Sequence, residues 1–137
     1  MPKIVLCAED DANDVLLMRR AIKKLGGGVK VQFVENSGDV IEHLKAAPAN
    51  QTLPDAVVLD VKTAGTSGFD ALRWIRQNAR FRALPVIIHS GAMNATDWHK
   101  ALALGADVFF EKDYSCSRLV EYLARLFEID AHAHRLA

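Results

Sequence analysis

Five short apolar runs constrain this chain more than any other feature: "KIVLCA" (3–8), "VKVQFVE" (29–35), "DAVVLD" (55–60), "LPVIIHS" (84–90) and "ADVFFEK" (106–112). They are of strand length, rich in Val and Ile, and lack the strict alternation of a strand with one wet face, so they suit strands covered on both sides. Helical patterns separate them. Val15, Met18, Ile22 and Leu25 recur at spacings of three and four before the glycine stop "LGGG". Val40, Ile41 and Leu44 mark a second helix ended near Pro48, and Phe69, Leu72 and Ile75 mark a third. The stretch 94–104 opens on cap residues and ends at Gly105, while Leu119, Leu123 and Leu126 define a last helix. Strands alternating with helices predict an α/β fold, a doubly wound five-stranded parallel sheet with helices on both faces. Right-handed crossovers and one reversal of strand order then open a crevice at the carboxyl ends of the central strands.

The 137 residues fit one domain, read as 1–128 with a short tail over 129–137. Lys plus Arg and Asp plus Glu each total 17, so no global field favours nucleic acid or an anionic membrane as partner. No apolar run approaches the ~20 residues of a membrane span, and "MPKIVLC" lacks the layout of a signal peptide, which predicts a cytoplasmic protein. Cys7 and Cys116 have no zinc or disulfide spacing; the first reads as buried and the second as lying near a helix start. His132 and His134 in the tail read as solvated rather than metal-binding.

Polar residues collect at the predicted strand ends. The first strand runs into Glu9, Asp10 and Asp11, the third ends on Asp60, the fourth on His89 and Ser90 before Gly91 and Ala92, and the fifth on Glu111 and Lys112. Carboxylates brought together from two adjacent strands repel unless a counter-charge joins them. A hard cation with oxygen ligands suits such a set, Mg²⁺ being the best match, and Lys112 adds a second positive group. With the Ser90 hydroxyl, these groups describe a site that holds a dianionic phosphoryl group on a carboxylate. Asp11 reads instead as a helix cap, His89 as buried, and Trp74 and Trp98 as packing or partner-surface residues.

"LCAED", "VVLDVKTAGTSGFDAL", "LPVIIHSG" and "GADVFFEK", in this order and at these intervals, resemble the receiver domain of two-component response regulators over roughly residues 3–128. The resemblance implies a flavodoxin-like fold with strand order 2-1-3-4-5. It further implies that Asp60 accepts a phosphoryl group from a sensor histidine kinase or phosphotransfer protein, with small phosphodonors as substitutes. By the same resemblance Glu9 and Asp10 form the acidic pair, Asp10 being the more direct Mg²⁺ ligand, and the backbone carbonyl of Lys62 is a further ligand beside Asp60. Ser90 would bond a phosphoryl oxygen, Lys112 would pair with it, and Phe109 would be the aromatic switch residue. Such a chain is a phosphoacceptor taking part in its own phosphorylation and dephosphorylation, not an enzyme acting on a separate substrate. The implied output is a stand-alone switch acting on a downstream protein, with a homodimer through the fourth and fifth helices as a further expectation.

A phosphorylation-independent adaptor is the alternative. A flavin-binding relative is disfavoured because "EDDAND" would repel phosphate in the absence of a metal, and an aspartate-nucleophile phosphatase because Lys62 stands where a second acid is usual. The chain departs from the commonest family pattern at three positions. "KTAGTSG" places Ala64 where proline is frequent, Asp113 replaces the proline after the lysine, and Lys62 fills a variable position that in relatives affects phosphoryl lifetime. Since a cis bond before a residue other than proline costs about 2.5–4 kcal/mol, the Lys112–Asp113 bond is expected to be trans.

Overall fold

The computed structural model describes residues 2–48, 53–62 and 67–129, so Ala64 and the tail histidines lie outside the described residues. In chain order the elements are β1 (Lys3–Ala8), α1 (Ala12–Lys23), a 3-10 turn (Gly26–Gly28), β2 (Val29–Val34), α2 (Ser37–Ala46), β3 (Ala56–Leu59), α3 (Gly68–Gln77), β4 (Val86–Ser90), α4 (Ala95–Ala103), β5 (Val108–Glu111) and α5 (Ser117–Leu126). The strands form one sheet in the order β2-β1-β3-β4-β5, every neighbouring pair parallel. This is the doubly wound, flavodoxin-like architecture and strand order expected from the sequence.

Strand alternation splits the core into two layers. Leu6, Ala8, Val57, Leu59, Val86 and Ile88 pack with Val40 and Leu44 of α2, Leu72 and Ile75 of α3, and Ala101 of α4. Val5, Cys7, Ala56, Val58 and Ile87 pack on the other side with Met18 and Ile22 of α1 and Leu119 and Leu123 of α5. Burial on both faces explains why the central strands are apolar without a break.

Four helices begin alike. Asp11, Asn36, Ser67 and Asn94 each accept a hydrogen bond from the backbone N–H three residues on, and the residue there is an aspartate every time: Asp14, Asp39, Asp70 and Asp97. Each cap satisfies an otherwise orphaned donor, worth about 1 kcal/mol, and the acid complements the positive helix end. Asp11 is therefore a cap, as read from the sequence. α5 starts differently: Cys116 sits at φ 50° without a side-chain cap. Asp113 substitutes from outside the helix, its carboxylate accepting from the Cys116 N–H at 2.6 Å and the Ser115 hydroxyl at 2.9 Å.

Two strands begin later than their apolar runs suggest, β4 at Val86 and β5 at Val108. The Arg76 guanidinium takes up the preceding backbone, donating to the carbonyls of Gly105 (2.8 Å), Arg82 (2.9 Å) and Leu84 (2.7 Å) and pairing with Asp107 at 3.0 Å. Asp107 in turn accepts from the Val86 N–H at 2.8 Å, so a side-chain network precedes the ladder. The glycine stop of α1 is likewise shifted: the helix ends at Lys23, and the glycines form the 3-10 turn beyond it.

Candidate functional site

β3 delivers Asp60 to the carboxyl edge of the sheet, between β1 and β4, where only 6% of the residue is exposed. Gly68 at the start of α3 packs against its backbone so closely that a Cβ there would stand 2.7 Å from the Asp60 carbonyl oxygen and 2.9 Å from Val61 Cα. Only glycine permits that approach, which brings the helix start against the site. Asp60 Oδ1 accepts from the Ser90 hydroxyl at 2.7 Å and from the Lys62 N–H at 2.9 Å, and Oδ2 accepts from the Lys112 ammonium at 2.6 Å. Burial pushes the Asp60 carboxyl up, but hydrogen bonds from Lys112, the Lys62 N–H and Ser90 outweigh it and hold the group below the ordinary carboxylate range. The carboxylate is thus ionised and held by donors on three sides.

Lys112 follows β5 directly, and its N–H is fixed to the Ser90 carbonyl at 2.7 Å. Its ammonium meets three carboxylates: Glu9 at 2.7 Å, Asp14 at 2.8 Å and Asp60 at 2.6 Å. Burial alone would lower its pKa; the hydrogen bonds to Asp14, Asp60 and Glu9 prevail and raise it, so the group is cationic at any physiological pH. Glu9 goes the other way. Burial raises its pKa more than Lys112 and the Asp11 N–H lower it. The Lys112–Asp113 bond is trans, in keeping with the expectation, as are all peptide bonds among the described residues.

Of the residues singled out from the sequence, the fold brings together Glu9, Asp60, Ser90 and Lys112. Asp10 is exposed and makes no hydrogen bond or ion pair with another described residue. Lys62 contributes its N–H to Asp60, while its ammonium reaches across to the Ala92 carbonyl at 2.6 Å. Phe109 is half-buried on β5, its ring 4.7 Å from that of Trp98 on α4. His89 is buried, and its Nδ1 lacks a partner among the described residues. Burial and then the Lys112 charge push its pKa down to about 4, so it is neutral. No three histidine, cysteine or acidic side chains among the described residues are arranged as a ready metal cage; the acids gather around Lys112 instead.

Asp14 is the residue that the sequence reading missed. It lies within "EDDAND", one helical turn after the cap Asp11, and that spacing was the available signal: a turn of helix returns its side chain to the strand end.

The parallel five-stranded α/β sheet thus carries a buried aspartate, a buried serine and a partly buried lysine together at its carboxyl edge. Comparison with known proteins identifies the family. Residues 5–124 match the model of the response regulator receiver domain, and the chain belongs to that family of two-component systems. It is similar to Protein PilH of Pseudomonas aeruginosa, 32% identical over 98 residues that span 70% of this chain and 75% of the relative. Among solved structures it superposes on the phosphorylated cyanobacterial phytochrome response regulator RcpA with a TM-score of 0.79, at 22% identity and 93% coverage of both chains. The Mn²⁺-bound form of response regulator Rcp1 gives 0.80, at 19% identity, covering 92% of this chain and 94% of the other.

Proposed function

We propose that this chain is a phosphorylation switch in which Asp60 accepts a phosphoryl group from a sensor histidine kinase or phosphotransfer protein. The observation that carries the reading is the state of Asp60: buried, ionised, and bonded at once to Ser90, Lys112 and the Lys62 N–H. In the transfer an Asp60 oxygen bonds to phosphorus as the bond from phosphorus to the donor imidazole nitrogen breaks, and the imidazole leaves with the electron pair. Ser90 and Lys112 then have phosphoryl oxygens to bond in place of the carboxylate. Because these donors are already in place, little reorganisation is needed as charge moves outward.

The donor set suits a hard divalent cation. Glu9 and Asp60 are buried acids at adjacent strand ends with the exposed Asp10 beside them, and every side-chain ligand atom they offer is oxygen. Glu9, Asp10, Asp60 and the Lys62 carbonyl would hold Mg²⁺, whose chemistry when bound is to neutralise the phosphoryl oxygens. An adaptor that works without phosphorylation has less support, since Asp113 caps α5 while Lys112 still reaches Asp60.

The output is a population shift. A dianion that draws Ser90 and Lys112 favours one arrangement of the loop after β4 and of the Phe109–Trp98 pair. A downstream protein, or a second copy of the chain meeting α4 and α5, reads that change. The chain acts as phosphoacceptor and not as an enzyme on a separate substrate, and its place of work is the cytoplasm; among the described residues no helix is long and apolar enough to cross a membrane. Labelling with radioactive acetyl phosphate and Mg²⁺ tests the reading: the parent takes up label and Asp60→Asn does not. Equal uptake by both would overturn it.

A further inference from the structure

Three carboxylates surround the Lys112 ammonium: it donates to Asp60 at 2.6 Å and to Asp14 at 2.8 Å and forms an ion pair with Glu9 at 2.7 Å. The three acceptors differ in what holds them. Asp60 is the reacting group, and Glu9 lies in the loop after β1. Asp14 alone is built into a helix, in the first turn of α1, with its own N–H fixed to the cap Asp11 at 3.0 Å.

Helix capping does not require the contact. Asp39, Asp70 and Asp97 occupy the same position in α2, α3 and α4, yet among the described residues none has its carboxylate bonded to or ion-paired with a site residue. Asp70 pairs only with Arg73 of its own helix, and Asp39 and Asp97 make no side-chain bond among the described residues. Among the described residues Asp14 is the one member of the set whose carboxylate is bonded outside its own helix, across 98 residues of sequence.

We propose that Asp14 is a positioning residue for phosphoryl transfer: anchored on α1, it aims the Lys112 ammonium at Asp60. The inference rests on Asp60 being the phosphoacceptor. Without Asp14, two carboxylates hold Lys112, one of which is consumed in the reaction. The lysine then samples other rotamers, and its charge is delivered less often to the incoming phosphoryl group.

The test is the initial rate of label uptake from acetyl phosphate at several Mg²⁺ concentrations, for Asp14→Ala, Asp14→Asn and the control Asp39→Ala, with folding checked by circular dichroism. At saturating Mg²⁺ the Ala variant should be slower by about tenfold, the loss expected when one charge-assisted contact no longer orients the lysine. Asp14→Asn, which keeps a neutral acceptor and the cap geometry, should fall between it and the parent, and Asp39→Ala should match the parent. A protected Lys112 ammonium signal in ¹⁵N NMR should be present in the parent and lost in Asp14→Ala. Parent-like uptake by a folded Asp14→Ala overturns this inference alone. A loss fully restored by added Mg²⁺ also overturns it, by making Asp14 a metal-site residue. No label in the parent overturns the phosphoacceptor reading, and the role in transfer with it.

Discussion

The Lys62 ammonium donates to the Ala92 carbonyl at 2.6 Å, tying the loop after β3, which carries Asp60, to the loop after β4, which follows Ser90. Lys62 thus has two separable parts: a backbone fixed to the Asp60 carboxylate, and an exposed side chain joining the two loops. Lys62→Ala removes only the second. Phosphoryl loss to water should accelerate on the order of threefold, since the span hinders the attacking water, while half-saturation by Mg²⁺ shifts less. Decay of label from the purified phosphoprotein and a Mg²⁺ titration give the two constants; the opposite ranking would contradict this division.

Gly68→Ala should damage fold and site together. The added Cβ meets backbone at 2.7 and 2.9 Å, and backbone of a buried strand end yields poorly. The expected loss is about 1–3 kcal/mol in urea unfolding, with slower label uptake because Asp60 is displaced. Gly27→Ala is the control: nothing lies within 4 Å of its Cβ, so stability should change by less than about 0.5 kcal/mol.

His89 predicts a pH dependence. Its pKa falls from an ordinary 6.5 to about 4 in the fold, so between those values the unfolded chain binds a proton that the native state does not. Stability from this residue is complete above 6.5 and is lost as pH falls toward 4. Between pH 7 and pH 5 the parent should lose on the order of 2 kcal/mol more than His89→Leu, in matched urea titrations. At pH 7 the leucine variant should be as stable as the parent or more so, because it removes the unpartnered Nδ1. Equal losses in both proteins would show that His89 is not buried neutral.

Arg76 holds the chain entering β4 and β5, at the sheet edge away from Asp60. Arg76→Ala should cost about 2–3 kcal/mol in unfolding, because three carbonyls lose a donor and Asp107 its ion-pair partner. Arg76→Lys should recover little of it, since an ammonium cannot reproduce the planar fork. Phosphoryl uptake by the folded fraction should stay at the parent rate.

What the sequence made legible was whatever depends on local pattern. Apolar runs marked all five strands, although only β1, β3 and β4 are buried on both faces while the edge strands β2 and β5 are partly exposed, and residues sitting directly on strand ends, Asp60, Ser90 and Lys112, had their positions set by the sheet alone. Asp11 was readable as a cap because capping acts within one turn. Asp14 was not, since its partner lies 98 residues away and its spacing fits a helix start equally well. The Lys62–Ala92 span and the Arg76 network depend on loop paths that no periodicity encodes. Asp113 was visible as a departure, but its capping of Cys116 needed the geometry of a backbone at positive φ.

The central claim is that the buried carboxylate of Asp60 is where the phosphoryl group forms. The most direct measurement is to treat the protein with acetyl phosphate and Mg²⁺, trap the acyl phosphate by borohydride reduction, and map the changed residue by peptide mass spectrometry. The account predicts a single modified residue, Asp60, in the parent and none in Asp60→Asn. Modification at Glu9, Asp10 or Asp14 with Asp60 untouched, or an unmodified parent, would contradict it.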